Sequence, residues 1–348
     1  MVSVVVVNHN GNAYIQKCVR SIFNSNTKNI EVIVVDNASI DDSVKVLAKK
    51  FSTEHKSGKL KIVELEKNFG PAYARNKGAA QAKGVFFCFL DNDTVVEKNW
   101  AEEAKKLFRK SEKIGIIQCK LLLADKKTID YIGEYMSFNG FLVQKVKGGT
   151  KDDGSFDQIE PILAAKSAGM FIRAKAFEDA GGFDDDYFIY VEETDLGWRC
   201  WLMGYQNMFL PSSVVYHDSG TSSIILGSGK VKQLARFHGS KNYILTHFKN
   251  LELKSMIKIL PIHIGLWLGL AIYSLLRKGS FNEFLWIMSG VWWNITHFGK
   301  NWRKRRLIQS KRVVSDKELF AIWMKRRPLS YFLGKAIHTH KVGNAQSF

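Results

Sequence analysis

The sequence predicts an α/β protein: an open sheet covered by helices, followed by a basic helical extension. Three observations carry this. Short β-branched or aromatic runs alternate with stretches of helical periodicity over residues 1–120. Each of these runs is followed by Asn, Asp or Gly. The whole net charge of +18 falls in the last third of the chain.

The runs are SVVVV (3–7), IEVIVV (30–35), LKIVEL (60–65) and VFFCFL (85–90). Few polar residues interrupt them, as in parallel strands covered on both faces. Between the first and second, YIQKCVRSIFN places apolar residues at helical spacing, and SVKVLAKKF does so between the second and third. This alternation implies right-handed strand–helix–strand units. Residues 121–165 read as a less regular region with charged, Gly-rich turns such as KGGTKDDGS. After it, GMFIR predicts a strand and KAFEDAGG a short helix closed by glycine. EETDLGWRCWLMG predicts a helix ended by Gly204, and NMFLPSSVVYH a last strand ending at His217.

With 348 residues, 46% hydrophobic and 24% charged, the chain can bury a substantial core and is not disordered. The four cysteines, Cys18, Cys88, Cys119 and Cys200, form no CxxC pair and have no histidine at zinc spacing, which fits a reduced, cytosolic setting. The start, MVSVVVVNHNG, lacks a basic n-region and a small-residue cleavage site, so it reads as a first strand rather than a signal peptide.

Composition divides the chain into residues 1–225 and a region 226–348. From Lys230 onward there are 22 Lys/Arg against 4 Asp/Glu. Here ILPIHIGLWLGLAIYSLL (259–276) and FLWIMSGVWWNITHFG (284–299) are uncharged, and Trp267, Trp286, Trp292, Trp293 and Trp302 lie near flanking Lys/Arg. One run of marginal length for a span, a shorter second one, interfacial tryptophans and basic flanks predict association with an anionic membrane surface, the alternative being a soluble helical domain with a basic surface. Binding to nucleic acid would instead need stacking aromatics among basic residues on a polar surface, so no nucleic-acid partner is expected.

In open α/β sheets, ligands bind beyond the carboxyl ends of the strands. Those positions hold Asn8-His9-Asn10-Gly11, Asp36-Asn37, Asn68-Phe69-Gly70 and Asp91-Asn92-Asp93. The last tripeptide fits either an Asx-rich turn or a site for Mg²⁺ or Mn²⁺ bound with a diphosphate. Asp36 suits hydrogen bonds from a base or ribose, while Asp41 or Asp42 serves better as cap of the helix from Ser43. In NFGPAYARNKGAA, Pro71 opens a helix, and Arg75 would meet a phosphate, hold Asp91 or form a structural ion pair. Glu192, Glu193 and Asp195 open a helix whose dipole they complement. One or two of them would face the cleft as a general base.

Taken in order, VVVVNHNG, VVDNASIDDS, NFGPAYARNKGA, FLDNDTVV and GGFDDDYFIYVEETDLGWR resemble the inverting family 2 glycosyltransferases of the GT-A fold. The match is to the rhamnosyltransferase-like branch that builds bacterial surface polysaccharides, and it covers about residues 1–225. The resemblance implies a nucleotide-diphospho-sugar donor and a divalent metal, Mn²⁺ or Mg²⁺. It implies Asp93 on the metal, Asp91 nearer the ribose or a metal-bound water, and Asp36 at the nucleotide base. Asn8, Asn68 and Arg75 would line the donor site. The base position falls on Glu193, where the family commonly has Asp, with Glu192 and Asp195 as alternatives. His217 would contact metal or diphosphate, or else be a core histidine. Gln233-Leu-Ala-Arg236-Phe237 is a near miss to the acceptor motif of processive members. The acceptor would be a glycan or lipid-linked hydroxyl at the inner face of the cell membrane. The alternatives are a polyprenyl-phosphate sugar transferase and an inactive nucleotide-sugar binder. A nucleotidyltransferase would need a Gly-rich basic loop after the first strand, which NHNGNAY does not supply.

Overall fold

A computed structural model describes residues 1–218 and 228–325. The compositional boundary at 225/226, the DSGTSS stretch after Asp218 and the basic residues past Lys325 lie outside the described residues. Four strands follow the sequence runs: β1 (Val2–Asn8), β2 (Ile30–Asp36), β3 (Leu60–Glu64) and β4 (Phe86–Asp91). They are parallel in the order β3-β2-β1-β4. Val2, Val4 and Val6 of β1 face one layer with α1 (Ile15–Phe23), and Val5 faces the other, the period-2 alternation of a strand buried on both sides. The helices α2 (Ser43–Lys50), α3 (Ser52–Lys56) and α4 (Pro71–Ala79) complete this half.

The second half holds what periodicity understated. After β5 (Thr94–Val96) and α5 (Trp100–Lys110), strand β6 (Ile114–Leu123) is buried along nearly its whole length. The sequence reading placed no strand there. Gln118 and Lys120 break the apolar pattern, but they are buried with partners. Gln118 receives the Lys166 N–H at 2.6 Å, and Lys120 pairs with Asp152 at 2.9 Å. The short strands β7 (Ile129–Tyr131), β8 (Glu134–Ser137), β9 (Leu142–Gln144) and β10 (Glu160–Pro161) organise the region read as irregular. Strand β11 (Met170–Arg173) runs antiparallel between β4 and β6, and β12 (Gln206–His217) lies parallel to β6, so the open sheet is mixed. Helices α6 (Ala174–Asp179) and α7 (Glu192–Leu202) lie on the face that carries Val5.

The helical extension is built from α8 (Ser228–Asn250), α9 (Leu253–Lys278), α10 (Phe281–Thr296), α11 (Phe298–Ser310) and α12 (Asp316–Trp323), with strand β13 (Met324–Lys325) beside β8. It shares a core with the sheet domain: Trp198 and Trp201 of α7 meet Leu251, Ile259, Ile308 and Trp323. Each such large apolar side chain contributes about 1.5–3 kcal/mol on burial, so packing continues across the change in composition. Helix α10 packs on α8 where Gly290 leaves room; a Cβ there would lie 2.1 Å from Ser240 Oγ. Beside it Arg236 Nε reaches buried Glu283 at 3.1 Å. Arg236 of the near-miss acceptor motif therefore ties two helices together. All four cysteines are buried free thiols.

Candidate active site

Register brings the polar strand ends to one edge. Asn8 lies opposite Asp36, and Val7 opposite Asp91. On the far side of the cleft, His217 pairs with Thr94 across β5 and β12, and the Asp218 N–H donates to the Asp93 carbonyl at 3.0 Å. A histidine 124 residues away in the chain thus arrives beside the Asp91–Asp93 pair. Ligand atoms of Asp91, Asp93 and His217 lie within 4.8 Å of one another.

His217 Nε2 is 3.4 Å from Asp93 Oδ1, and its Nδ1 is 2.9 Å from Asp130 Oδ2. Burial alone would push the imidazole down, but Asp130 and Asp93 outweigh it and raise it to about 9. The place favours positive charge. Asp93 Oδ1 is buried, and its nearest polar partner is the His217 imidazole at 3.4 Å, a long contact that leaves room for a cation to take the proton's place. Two carboxylates and an imidazole are also the donor set of a hard or borderline divalent cation. The residues present therefore fit Mn²⁺ or Mg²⁺. A small cavity borders this side, lined by Tyr14, Lys17, Asp93, Lys126, Tyr216 and His217 among others.

The start of α7 adjoins this group through Arg75, and its three acids take different places. Side-chain exposure separates them: 22% for Glu193, 4% for Glu192 and 0% for Asp195. Glu193 Oε1 accepts from the Ser167 N–H at 2.8 Å and from the Ser167 hydroxyl. Glu192 is buried against Arg75 Nη1 at 2.9 Å, and burial plus the charge of Glu193 raise it to about 7 despite Arg75. Asp195 does not reach the cleft. It pairs with Arg199 at 2.9 Å and Lys249 at 3.1 Å and accepts from Asn250 at 3.0 Å, so it joins α7 to α8.

Arg75 also departs from the donor-lining expectation. Its buried guanidinium meets Asp91 at 3.2 Å, Glu192 at 2.9 Å and Glu193 at 3.9 Å. Both terminal nitrogens are turned to carboxylates of the protein, and the guanidinium lies over the Phe183 ring at 5.6 Å, so Arg75 joins Asp91 to the start of α7. Asp36 and Asn8 are similarly engaged. Asp36 accepts from Asn8 Nδ2 at 2.8 Å and from Ser39, and Asn8 Oδ1 accepts from Asn92 at 2.9 Å. Exposed Asn68 accepts from Asn37 at 2.9 Å. The Asn/Asp-rich strand ends thus order the loops of this edge as well as line it. Asp42 takes the cap position of α2 without a side-chain cap bond, and it is the preceding Asp41 that accepts from the Ser43 N–H and hydroxyl.

Sequence reasoning missed Asp130, Ser167 and Glu134. Glu134 accepts from Thr194 Oγ1 at 2.6 Å, and burial, with the nearby charge of Glu193, raises it to about 7. None of these sits at a fixed spacing from a recognisable motif; only the pairing of β6 with β7, β11 and β12 brings them in.

The comparisons with known proteins bear on the family and the fold. The model for glycosyl transferase family 2 matches residues 3–163, and that for glycosyl transferase family group 2 matches residues 86–299. The chain belongs to the family 2 glycosyltransferases. The glycosyltransferase GlyG of Streptococcus pneumoniae serotype 4 is 31% identical over 102 residues, 29% of this chain and 33% of GlyG. The poly-beta-1,6-N-acetyl-D-glucosamine synthase of Staphylococcus epidermidis is 22% identical over 216 residues, 62% of this chain and 49% of the synthase. The chain thus spans less than half the length of these curated relatives. The mannosyltransferase PcManGT of Pyrobaculum calidifontis, solved with GDP-Man and Mn²⁺, aligns with a TM-score of 0.51 at 16% identity over 89% of this chain and 85% of that one. This likeness shows the fold: a mixed GT-A-like sheet with a C-terminal helical region.

Proposed function

We propose that this chain is an inverting glycosyltransferase, which moves a sugar from a nucleotide-diphospho-sugar to a hydroxyl of a glycan or lipid-linked acceptor in surface polysaccharide synthesis. The observation that carries it is the convergence of Asp91, Asp93 and His217, with partly open Glu193 nearby on the same arginine as Asp91. Asp93, Asp91 and His217 would hold the divalent metal, which when bound neutralises charge building on the departing diphosphate. Ser167 orients Glu193 to take the proton from the acceptor hydroxyl. Arg75 keeps Asp91 and the acidic helix start in register. Attack from the Glu193 side, opposite the diphosphate, inverts the anomeric carbon in one displacement, so a second nucleophile is not required. The motif resemblance makes a rhamnosyl or other deoxyhexosyl donor the first to test beside UDP-, dTDP- and GDP-hexoses.

Asp93→Ala is expected to reduce metal-dependent donor turnover by at least about 10²-fold and to weaken Mn²⁺ binding. Activity within about tenfold of the wild type, or 1.4 kcal/mol of barrier, would overturn the metal assignment. If the wild-type chain binds nucleoside diphosphate but turns over no donor in such a screen, the inactive-binder reading stands instead.

The extension supports a membrane-surface location on the cytoplasmic side. Helix α9 is long and apolar enough to cross a bilayer by length and composition. However, Ile259, His263, Trp267, Ala271 and Ser274 form a buried stripe along it. His263 Nδ1 lies 3.0 Å from the Asn139 carbonyl, so the stripe is committed to the protein. The outer face shows Ile262, Ile272 and Leu276, continued by Leu285 and Trp292 of α10, with exposed Lys254, Lys258 and Arg277 flanking it. An apolar face rimmed by cations suits lying in an anionic interface. Leu276 and Trp292 are 75% and 62% exposed, so Leu276→Glu with Trp292→Glu should leave thermal stability nearly unchanged. The same pair should abolish sedimentation with phosphatidylglycerol vesicles. Unaltered sedimentation would sink this placement. The same face favours one second reading, transfer to a polyprenyl phosphate, whose product would release sugar under mild acid.

A further inference from the structure

The turn that carries the acidic helix into the cleft has an unfavourable backbone. Phe188, Tyr190 and Val191 have φ of 62°, 69° and 68°, in the left-handed region that non-glycine and above all β-branched residues avoid. Such conformations persist where the surroundings over-determine them, and they gather at functional sites. Val191 is the residue on which α7 begins, so the geometry of this turn decides where Glu192 and Glu193 start.

The turn is held mainly by one helix of the extension, α8, and chiefly by one side chain. Asn242 Nδ2 lies 3.0, 2.9 and 2.7 Å from the carbonyls of Tyr187, Ile189 and Tyr190, its two N–H groups shared among the three acceptors. Three carbonyls of one short turn converge on one amide, an arrangement a helical or extended backbone would not offer. One turn further along α8, Thr246 Oγ1 bonds the Tyr187 hydroxyl at 2.6 Å, and Lys249 holds Asp184 at 2.5 Å. The Phe188 ring stacks on His238, centroids 5.2 Å apart. From the other side, Gly70 at φ 84° admits the turn; a Cβ there would lie 2.6 Å from the Phe188 carbonyl oxygen. Asn242 itself is fully buried, and none of its hydrogen bonds reaches Glu193 or the strand ends of the donor edge.

We infer that Asn242 is a positioning residue for the acidic helix: by fixing three carbonyls of the strained turn, it sets where Glu193 stands over the cleft. The inference rests on the reading of Glu193 as the base. A shift of about 1 Å at a reacting group can cost about 10²-fold in rate. The donor edge belongs to β1–β4, which Asn242 does not touch; the turn meets that edge only at Gly70 and, through Glu192 and Arg75, at Asp91, so donor affinity is expected to change far less than kcat. This split distinguishes positioning from general support of the fold.

The test uses the full chain. Asn242→Ala should lower the kcat of transfer by about 10²-fold, with the donor KM and the Kd for nucleoside diphosphate with Mn²⁺ within about twofold. Hydrogen exchange should quicken in peptides covering 184–195 and stay as before in the rest of the sheet domain. Asn242→Ser, which keeps one donor in a smaller side chain, gives a milder version of the same split if the alanine variant does not fold. Unchanged kcat in a variant whose exchange has quickened, or parallel loss of kcat and donor affinity, would overturn the inference. If the wild-type chain transfers no sugar at all, the proposed function fails by itself. Exchange over 184–195 then still decides whether Asn242 sets the turn, and unaltered exchange in the variants rejects it.

Discussion

Glu193→Gln is expected to lower sugar transfer by roughly 10²–10⁴-fold, the range a positioned general base contributes, while nucleoside diphosphate binds as before. The substitution suits the site because the amide oxygen can still accept the Ser167 N–H that now reaches Glu193 Oε1 at 2.8 Å. The wall of the cleft keeps its shape, and what is lost is the ability to take a proton. Transfer kinetics beside a nucleotide-binding titration would separate the two. Parallel loss of binding and transfer would mark Glu193 as a prop for Arg75, 3.9 Å away, rather than a base. Glu192→Gln is a useful contrast, since Glu192 is sealed in the interior and has no path to an acceptor.

The second large effect is on the fold of the cleft itself. Arg75→Met should destabilise the protein by about 3–5 kcal/mol, the cost of removing one partner from a buried charge cluster. Met nearly fills the volume, so the loss reports charge rather than a cavity. Glu192 and the partly open Asp91 and Glu193 are left facing one another across the cleft without their shared cation. The deficit should also depend on pH. Burial raises Glu192 to about 7, so the folded state holds its proton more tightly than the unfolded chain does. That contribution is present at low pH and is lost as pH rises from the unfolded value towards about 7. Without Arg75 the ionised form is worse still, so the deficit should be smaller near about pH 5.5 than near about pH 8. A Tm deficit that is the same at both ends of this range would mean that Glu192 does not titrate with Arg75.

Much of this architecture was legible in the chain. The runs at 3–7, 30–35, 60–65 and 85–90 became β1–β4 to within a residue or so, because apolar period and turn chemistry are local properties. The polar strand ends were legible for the same reason, and the parallel register of β1 with β2 and β4 gathers them at one edge. Strand β6 was not, since its Gln118 and Lys120 read as polar interruptions until their partners at Lys166 and Asp152 are in place. In helix α9 the sequence showed only the composition, which suits a membrane; that Trp267 is spent on the protein core, where it packs with Tyr243, needed the tertiary structure.

The sequence by itself determined the class of sheet, the edge at which the polar strand ends gather and the acids that are candidates there. Only the tertiary structure decided how those acids divide the work. Arg75 and Glu192 are 117 positions apart, Ser167 and Glu193 are 26 apart, and His217 and Asp130 are 87 apart. No local period encodes such pairs. They form because strand order and register bring distant strand and helix ends together, and burial then makes each charge depend on whichever partner it finds there. Thus Asp195, one of three candidates for the cleft, joins α7 to α8, and Arg75, open to a phosphate or to Asp91, holds Asp91 and the start of α7. Glu193 alone of the three acids kept an open face, and an asparagine on a helix beyond the motifs holds the turn that aims it.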